Sequence, residues 1–245
     1  MAHHHHHHHH DDSGVGERNK EHFNNMDVDA FTQSAVFKRV AEQITQELQQ
    51  SFPWMGINTD TTEENPIRML DYACGNGIVS RALATHFPVI RGIDISSNMV
   101  EAYNAEATKA GFPCERMHAI EGDVLAGKPF PNADFDLIVM SLALHHVQDP
   151  ATLTQRLSNL LRPGGVLIIL DWVDRKESGC AAHSSKFDHI VTRHGFTETE
   201  LQSYYSAAGL DGWKWRLFNE MCELPADMSG PQQAFMARGT KPTPQ

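Results

Sequence analysis

The chain has 245 residues, 40% hydrophobic and 21% charged, with 31 acids against 20 bases and a formal net charge of −11. This is an ordinary composition for a folded globular domain. The Lys and Arg residues are scattered rather than gathered into the positive footprint that a phosphate backbone requires, so no nucleic-acid partner is expected. No stretch approaches the ~18 consecutive apolar residues of a membrane span. Four separated cysteines without a C-x-x-C pair point to a reducing, cytoplasmic location.

Residues 1–10, MAHHHHHHHH, read as a purification tag and are set aside. DDSGVGERNK (11–20) reads as a disordered linker, which leaves 21–245 as one domain. Phe37, Val40, Ala41, Ile44 and Leu48 recur at helical spacing and predict an N-terminal cap helix over 35–50. The turn-rich stretch 51–66 predicts a loop. Strands are then expected at 67–72, 88–93, 113–120, 135–140 and 165–170, with helices at about 78–86, 97–110 and 151–161. Such alternation specifies an α/β fold, a parallel sheet with helices on both faces. Ser96 or Ser97 marks one helix start, and Thr197 with Glu200 forms a capping box before LQSYYSAAGL, closed by Gly209. GWKWRLF (212–218) and AFMARGT (234–240) follow with only a loop between them, which predicts an antiparallel pair at the end of the sheet.

The chemistry concentrates in MLDYACGNG (69–77). Gly75 and Gly77 allow a ligand to approach the backbone, and the helix that follows points its N-terminus at the same place. A lone Gly-x-Gly is weak evidence. Two further acids strengthen it: Asp94 ends the second strand, where an acid grips a ribose diol, and Asp123 follows the third, within reach of an adenine amino group. A dinucleotide fingerprint asks for a third glycine where Ser80 stands, and Asp71 opposes a pyrophosphate. The same carboxylate favours a ligand carrying an ammonium and a sulfonium.

These motifs resemble those of the class I S-adenosylmethionine-dependent methyltransferases, in order and spacing, over residues 67–171. LDYACGNG matches their glycine-rich motif, with Ala73 where many members have a first glycine. GIDISSNMV, EGDVL, FDLIVMSLALHHVQDP and LRPGGVLIIL match the later loops and strands. The resemblance implies a Rossmann-like, doubly wound seven-stranded sheet with a terminal antiparallel strand, and S-adenosyl-L-methionine as cofactor, with S-adenosyl-L-homocysteine as product. It also implies roles. Asp71 would hold the methionine amino group through water, with Ala73, Gly75, Asn76 and Gly77 around the methionine portion. Asp94 would bind the ribose hydroxyls, with Ile95 and Met99 against the adenosine. Gly122, Asp123 and Val124 would surround the adenine, and Ser141 would lie beneath the sulfonium. His145 and His146, at the pocket mouth, are the candidates for a general base or for positioning the acceptor.

Residues 172–240 supply the lid and C-terminal elements. Cys180, His183, His189 and His194 lack the second ligand pair that zinc requires, so no metal is expected. Phe23, Phe31, Trp54, Tyr204 and Tyr205 are candidates for an apolar acceptor pocket. The expected activity is methyl transfer to a small molecule through an oxygen, nitrogen, sulfur or carbon atom. The competing readings are a non-catalytic cofactor-binding subunit and a protein or RNA methyltransferase.

Overall fold

The computed structural model describes residues 14–59, 64–126, 134–178, 185 and 187–244. Four helices precede the first strand: α1 (Gly14–Asn25), α2 (Val28–Gln33), α3 (Ala35–Gln50) and α4 (Phe52–Met55). The alternating core follows as β1 (Arg68–Tyr72), α5 (Ile78–Leu83), β2 (Val89–Asp94), α6 (Ser97–Lys109), β3 (Met117–Glu121), β4 (Phe135–Ser141), α7 (Pro150–Leu160) and β5 (Leu161–Trp172). The chain continues through α8 (Arg175–Ser178), α9 (Glu198–Ala207), β6 (Asp211–Leu217) and β7 (Ala234–Thr240).

The seven strands lie in the order β3-β2-β1-β4-β5-β7-β6. All neighbours from β3 to β5 are parallel, and β7 is antiparallel to both β5 and β6. The reversed strand is therefore inserted beside the edge, and β6 at the edge runs with the parallel set. Strand order reverses between β1 and β4, so the crevice beyond their carboxyl ends is the ligand position of a doubly wound sheet.

Side-chain alternation divides the core into two faces. Met69, Leu137, Val139 and Ile168 pack beneath α3, α5 and α6 with Leu48, Leu83 and Tyr103. Leu70, Ile138, Leu167 and Ile169 pack with Leu153 and Leu157 of α7 and Tyr205 of α9. Polar side chains fix the helix starts. Phe37 N donates to Ser34 Oγ at 3.2 Å, Met99 N to Ser96 Oγ at 3.3 Å, and Thr152 N to Asp149 Oδ1 at 2.9 Å. Only half of the expected box at α9 forms. Glu200 N donates to Thr197 Oγ1 at 3.1 Å, while the Glu200 carboxylate accepts from Arg193 and from Tyr204 OH.

Three expectations are corrected. Residues 14–20 belong to α1 rather than to a disordered linker, because tertiary contacts hold a segment with little apolar content. Asn19 Nδ2 donates to Ile190 O at 3.0 Å, Lys20 pairs with Glu121 at 2.7 Å, and Asn24 Oδ1 accepts from Ser96 Oγ at 2.8 Å. Within the expected loop 51–66, α4 forms around a Pro in its first turn and ends on Gly56 in the left-handed region. Its Met55 is fully buried, and the Phe52 ring stacks on His86 with centroids 3.6 Å apart. The third strand is shorter than expected because Pro113 O accepts from Arg116 N and Met117 N in a turn. No helix among the described residues is long and apolar enough to cross a membrane.

Candidate active site

The loops after β1 to β5, together with α1 to α3 and residues 185 and 187–194, surround a cavity of about 1100 Å³. This exceeds the ~300–1,000 Å³ typical of a single small-ligand pocket, leaving room for two small molecules.

The loop after β1 shows why glycines stand where they do. Ala73, Gly75 and Gly77 all have positive φ, at +57°, +49° and +82°. A Cβ on Gly77 would lie 2.8 Å from Cδ2 of Tyr103, so this glycine serves helix packing. A Cβ on Gly75 would meet no protein atom within 4 Å and would project into open space at the cavity wall. Ala73 adopts a conformation that disfavours any L side chain by roughly 1–2 kcal/mol. Leu142, after β4, has φ +51° and lines the same cavity. Two strained non-glycine residues thus flank the switch point, the kind of placement seen at ligand sites.

Asp94 is 7% exposed. Its Oδ2 accepts from Gly75 N at 2.9 Å and its Oδ1 from Ser96 N at 3.0 Å. Burial raises its pKa against those amide bonds. A carboxylate has about four acceptor positions, so it retains capacity for a diol. Asp123 Oδ1 accepts from Tyr72 OH at 3.2 Å and Leu125 N at 2.8 Å. Ile95, Met99, Gly122, Asn76 and Ser141 also line the cavity. Ser141 Oγ is buried without a hydrogen-bond partner among the described residues.

Three expected contacts fall elsewhere. Asp71 is 1% exposed, does not line the cavity, and accepts from Ser80 N at 3.1 Å and Ser80 Oγ at 2.7 Å. Ser80 Oγ accepts in turn from Tyr103 OH at 2.8 Å. Burial raises Asp71 to about 7, so its opposition to a pyrophosphate is weaker than a full charge would give. Gly77 is turned to Tyr103 instead of the cavity. Val124 packs into the core, and its neighbour Leu125 supplies the cavity wall.

The two histidines of the turn after β4 are held differently. His145 Nδ1 lies 2.7 Å from Asp171 Oδ1, and Asp171 is fully buried at the end of β5. The same carboxylate accepts from His145 N and Trp172 N. His146 Nδ1 donates to Ile190 O at 2.9 Å, because a carbonyl can only accept. Burial first, then neighbouring His145, lowers His146 to about 3. It is a neutral strut to the segment above it.

Phe23 and Phe31 line the cavity, whereas Trp54, Tyr204 and Tyr205 do not. Tyr205 is core, and Tyr204 bonds Glu200. Cys180 and His183 lie outside the described residues. His189 meets His22 edge-on at 5.3 Å, and His194 lies 3.9 Å from Asp188. Sequence reasoning passed over Asp171, although it ends an apolar strand as Asp71 and Asp94 do. It also passed over Asn19 and His22, whose places depend on how α1 docks.

A family of methyltransferase domains matches residues 70–169. An uncharacterized methyltransferase of Schizosaccharomyces pombe is 34% identical over 159 residues, which are 60% of this chain and 55% of that protein. A ubiquinone biosynthesis O-methyltransferase of Xylella fastidiosa is 36% identical over 103 residues, 42% of this chain and 40% of that one. The chain thus spans about half the length of the curated relatives it matches. Among solved structures, a magnesium protoporphyrin IX methyltransferase from Synechocystis has a TM-score of 0.65 at 15% identity, covering 92% of this chain and 99% of that one. The YcgJ protein of Bacillus has a TM-score of 0.64 at 17% identity, covering 81% and 99%. Residues 70–169 thus resemble a methyltransferase domain, and the chain has the fold of solved methyltransferases.

Proposed function

We propose that the chain transfers a methyl group from S-adenosylmethionine to a small-molecule acceptor. The observation that carries this reading is the buried Asp94 beside Gly75, whose missing side chain opens the cavity at the switch point. In this reading Asp94 binds the ribose hydroxyls, and Ile95 and Met99 lie against the adenosine. Asp123 takes the adenine amino group, with Gly122 and Leu125 at the ring. Ala73, Gly75 and Asn76 line the methionine portion, and the unpartnered Ser141 hydroxyl lies beneath the reacting centre. Asp71 acts at one remove, by fixing the start of α5 through Ser80. The bound sulfonium would supply an activated methyl carbon, so the protein's contribution is positioning and electrostatics.

The matched relatives support a small acceptor, one acting in ubiquinone biosynthesis by its name. Against protein or RNA acceptors stands the sparse cationic lining of the cavity, which among the described residues includes Arg193 as its sole Lys or Arg. Thermal-shift titration tests the cofactor. S-adenosylmethionine and S-adenosylhomocysteine at ~100 times Kd should each stabilise by about 2.7 kcal/mol, and Asp94→Ala should remove the effect. Stabilisation by NAD or NADP alone would reject the reading. A non-catalytic subunit would bind both sulfur nucleosides yet turn over no acceptor.

A further inference from the structure

We infer that the methyl acceptor is an uncharged molecule with an apolar body and a hydroxyl group, whose proton passes to Nε2 of His145 while Asp171 holds the ring. This rests on the methyltransferase reading and goes beyond it by choosing the accepting atom, the base and the character of the acceptor.

The choice of base follows from the two histidines' partners. Asp171 accepts at its carboxylate from two backbone amides and from His145 Nδ1, and it has no contact with water. An ionised carboxylate only accepts, so Nδ1 carries the ring proton and Nε2 presents a lone pair. His145 lines the cavity and its side chain keeps 10% of its surface exposed, while Nδ1 is turned to Asp171. When Nε2 takes a proton, the resulting imidazolium sits against a buried anion. His146 has a backbone carbonyl in that place, with His145 and Phe23 as its ring neighbours. The groups facing His145 are therefore Asp171, His146 and, through its own carbonyl, Thr192.

A base with its own orienting carboxylate is needed where the acceptor gives up a proton to become nucleophilic. A hydroxyl requires this, whereas a thiolate or a neutral amine already has an available lone pair. In the step, the acceptor O–H proton moves to His145 Nε2. An oxygen lone pair forms the new O–C bond as the C–S bond breaks, and that electron pair returns to sulfur to leave a neutral thioether. His145 later releases its proton to water.

The cavity walls describe the rest of the acceptor. Met26, Phe31, Phe37, Val40 and Ile44 from α1–α3 and their connections form an apolar side, continued by Leu142. An anionic acceptor would call for a guanidinium or ammonium clamp. Arg193, the one Lys or Arg among the described lining residues, is engaged by Glu200. The acids on the acceptor side, Glu17, Asp188 and Asp227, are solvent-exposed at the rim. Asp94 and Asp123 belong to the cofactor loops.

The test uses 4-hexylphenol, which is mostly un-ionised at about pH 9 because phenols titrate near 10, and its 2-nitro derivative, which is mostly ionised there. 4-Hexylaniline, a neutral amine at that pH, 4-hexylbenzenethiol, a thiolate there, and hexanoate complete the panel. Native enzyme should methylate 4-hexylphenol in preference to the last three. Asp171→Asn and His145→Gln should lose about 10²–10⁴-fold on 4-hexylphenol, yet stay within about tenfold of native on the nitrophenol, which needs no base. Equal losses on both phenols would overturn the proton-transfer role. Preference for the amine, thiol or carboxylate, or turnover of no phenol, would overturn the acceptor class. Independently of turnover, imidazole nitrogen chemical shifts in the cofactor-free protein should show His145 protonated at Nδ1; an Nε2–H tautomer would refute the dyad. Calorimetry with S-adenosylhomocysteine separates the two levels. Native protein that fails to bind it rejects the methyltransferase reading itself, whereas binding with a failed phenol assay rejects this inference alone. Variants that retain binding are folded at the site.

Discussion

Gly75 and Gly77 are two residues apart, both with positive φ, and replacing each by Ala should fail in different ways. At Gly77 the new Cβ would lie 2.8 Å and 2.9 Å from ring atoms of Tyr103, which is fully buried and hydrogen-bonded through its hydroxyl to Ser80. The ring has nowhere to retreat. Left-handed strain of about 1–2 kcal/mol combines with overpacking of about 1–3 kcal/mol, so Gly77→Ala should lose roughly 2–5 kcal/mol of stability. At about 2–4 °C per kcal/mol for a domain of this size, melting should fall by roughly 4–20 °C. Gly75→Ala meets no protein atom within 4 Å and should lose only the strain. Its methyl instead enters the space assigned to the cofactor. Differential scanning calorimetry with and without S-adenosylhomocysteine reads both effects. Gly75→Ala should melt within a few degrees of native but bind the nucleoside at least tenfold more weakly. Equal destabilisation by the two substitutions, with native affinity in Gly75→Ala, would refute the division of labour drawn from the loop.

The pH dependence carries a defined sign. Asp71 is raised to about 7 by burial, so its proton is held more tightly in the folded state than in the unfolded state. That contribution is fully present below the ordinary carboxylate value and is lost as pH rises through about 7. Urea midpoints should therefore fall between about pH 4.5 and 7.5 through this group, and Asp71→Asn should flatten the change; an unchanged slope would show Asp71 to be ionised throughout. Thr197→Ala removes the acceptor for Glu200 N at the start of α9 and should cost about 1 kcal/mol, read from the urea midpoint. Asn19→Ala leaves Ile190 O without the Asn19 donor. Faster proteolysis at α1 with an otherwise intact core is the expected result, and native resistance would show that the apolar contacts of Phe23 suffice.

Apolar periodicity and turn chemistry determined most of the fold before any coordinates. Alternating strand and helix patterns fixed the parallel core, Ser96 and Thr197 marked helix starts, and the helix-free interval before AFMARGT indicated the reversed strand. These are local properties, set by burial period and by backbone groups within a few residues. The acids at strand ends could likewise be placed near one crevice, because a parallel sheet brings its carboxyl ends together. Which of those acids faces the crevice was decided by packing. Asp71 and Asp94 both lie near the end of an apolar strand, yet Ser80 and Tyr103 turn Asp71 under α5, while Gly75 and Ser96 hold Asp94 at the cavity. The docking of α1 depends on Ile190 and Glu121, more than a hundred residues away in the chain. The difference between His145 and His146 likewise depends on Asp171 and Ile190, which only the tertiary fold brings to their rings. Adjacent residues of one type carry no mark of their future neighbours, and it is the neighbour that determines where a histidine holds its proton.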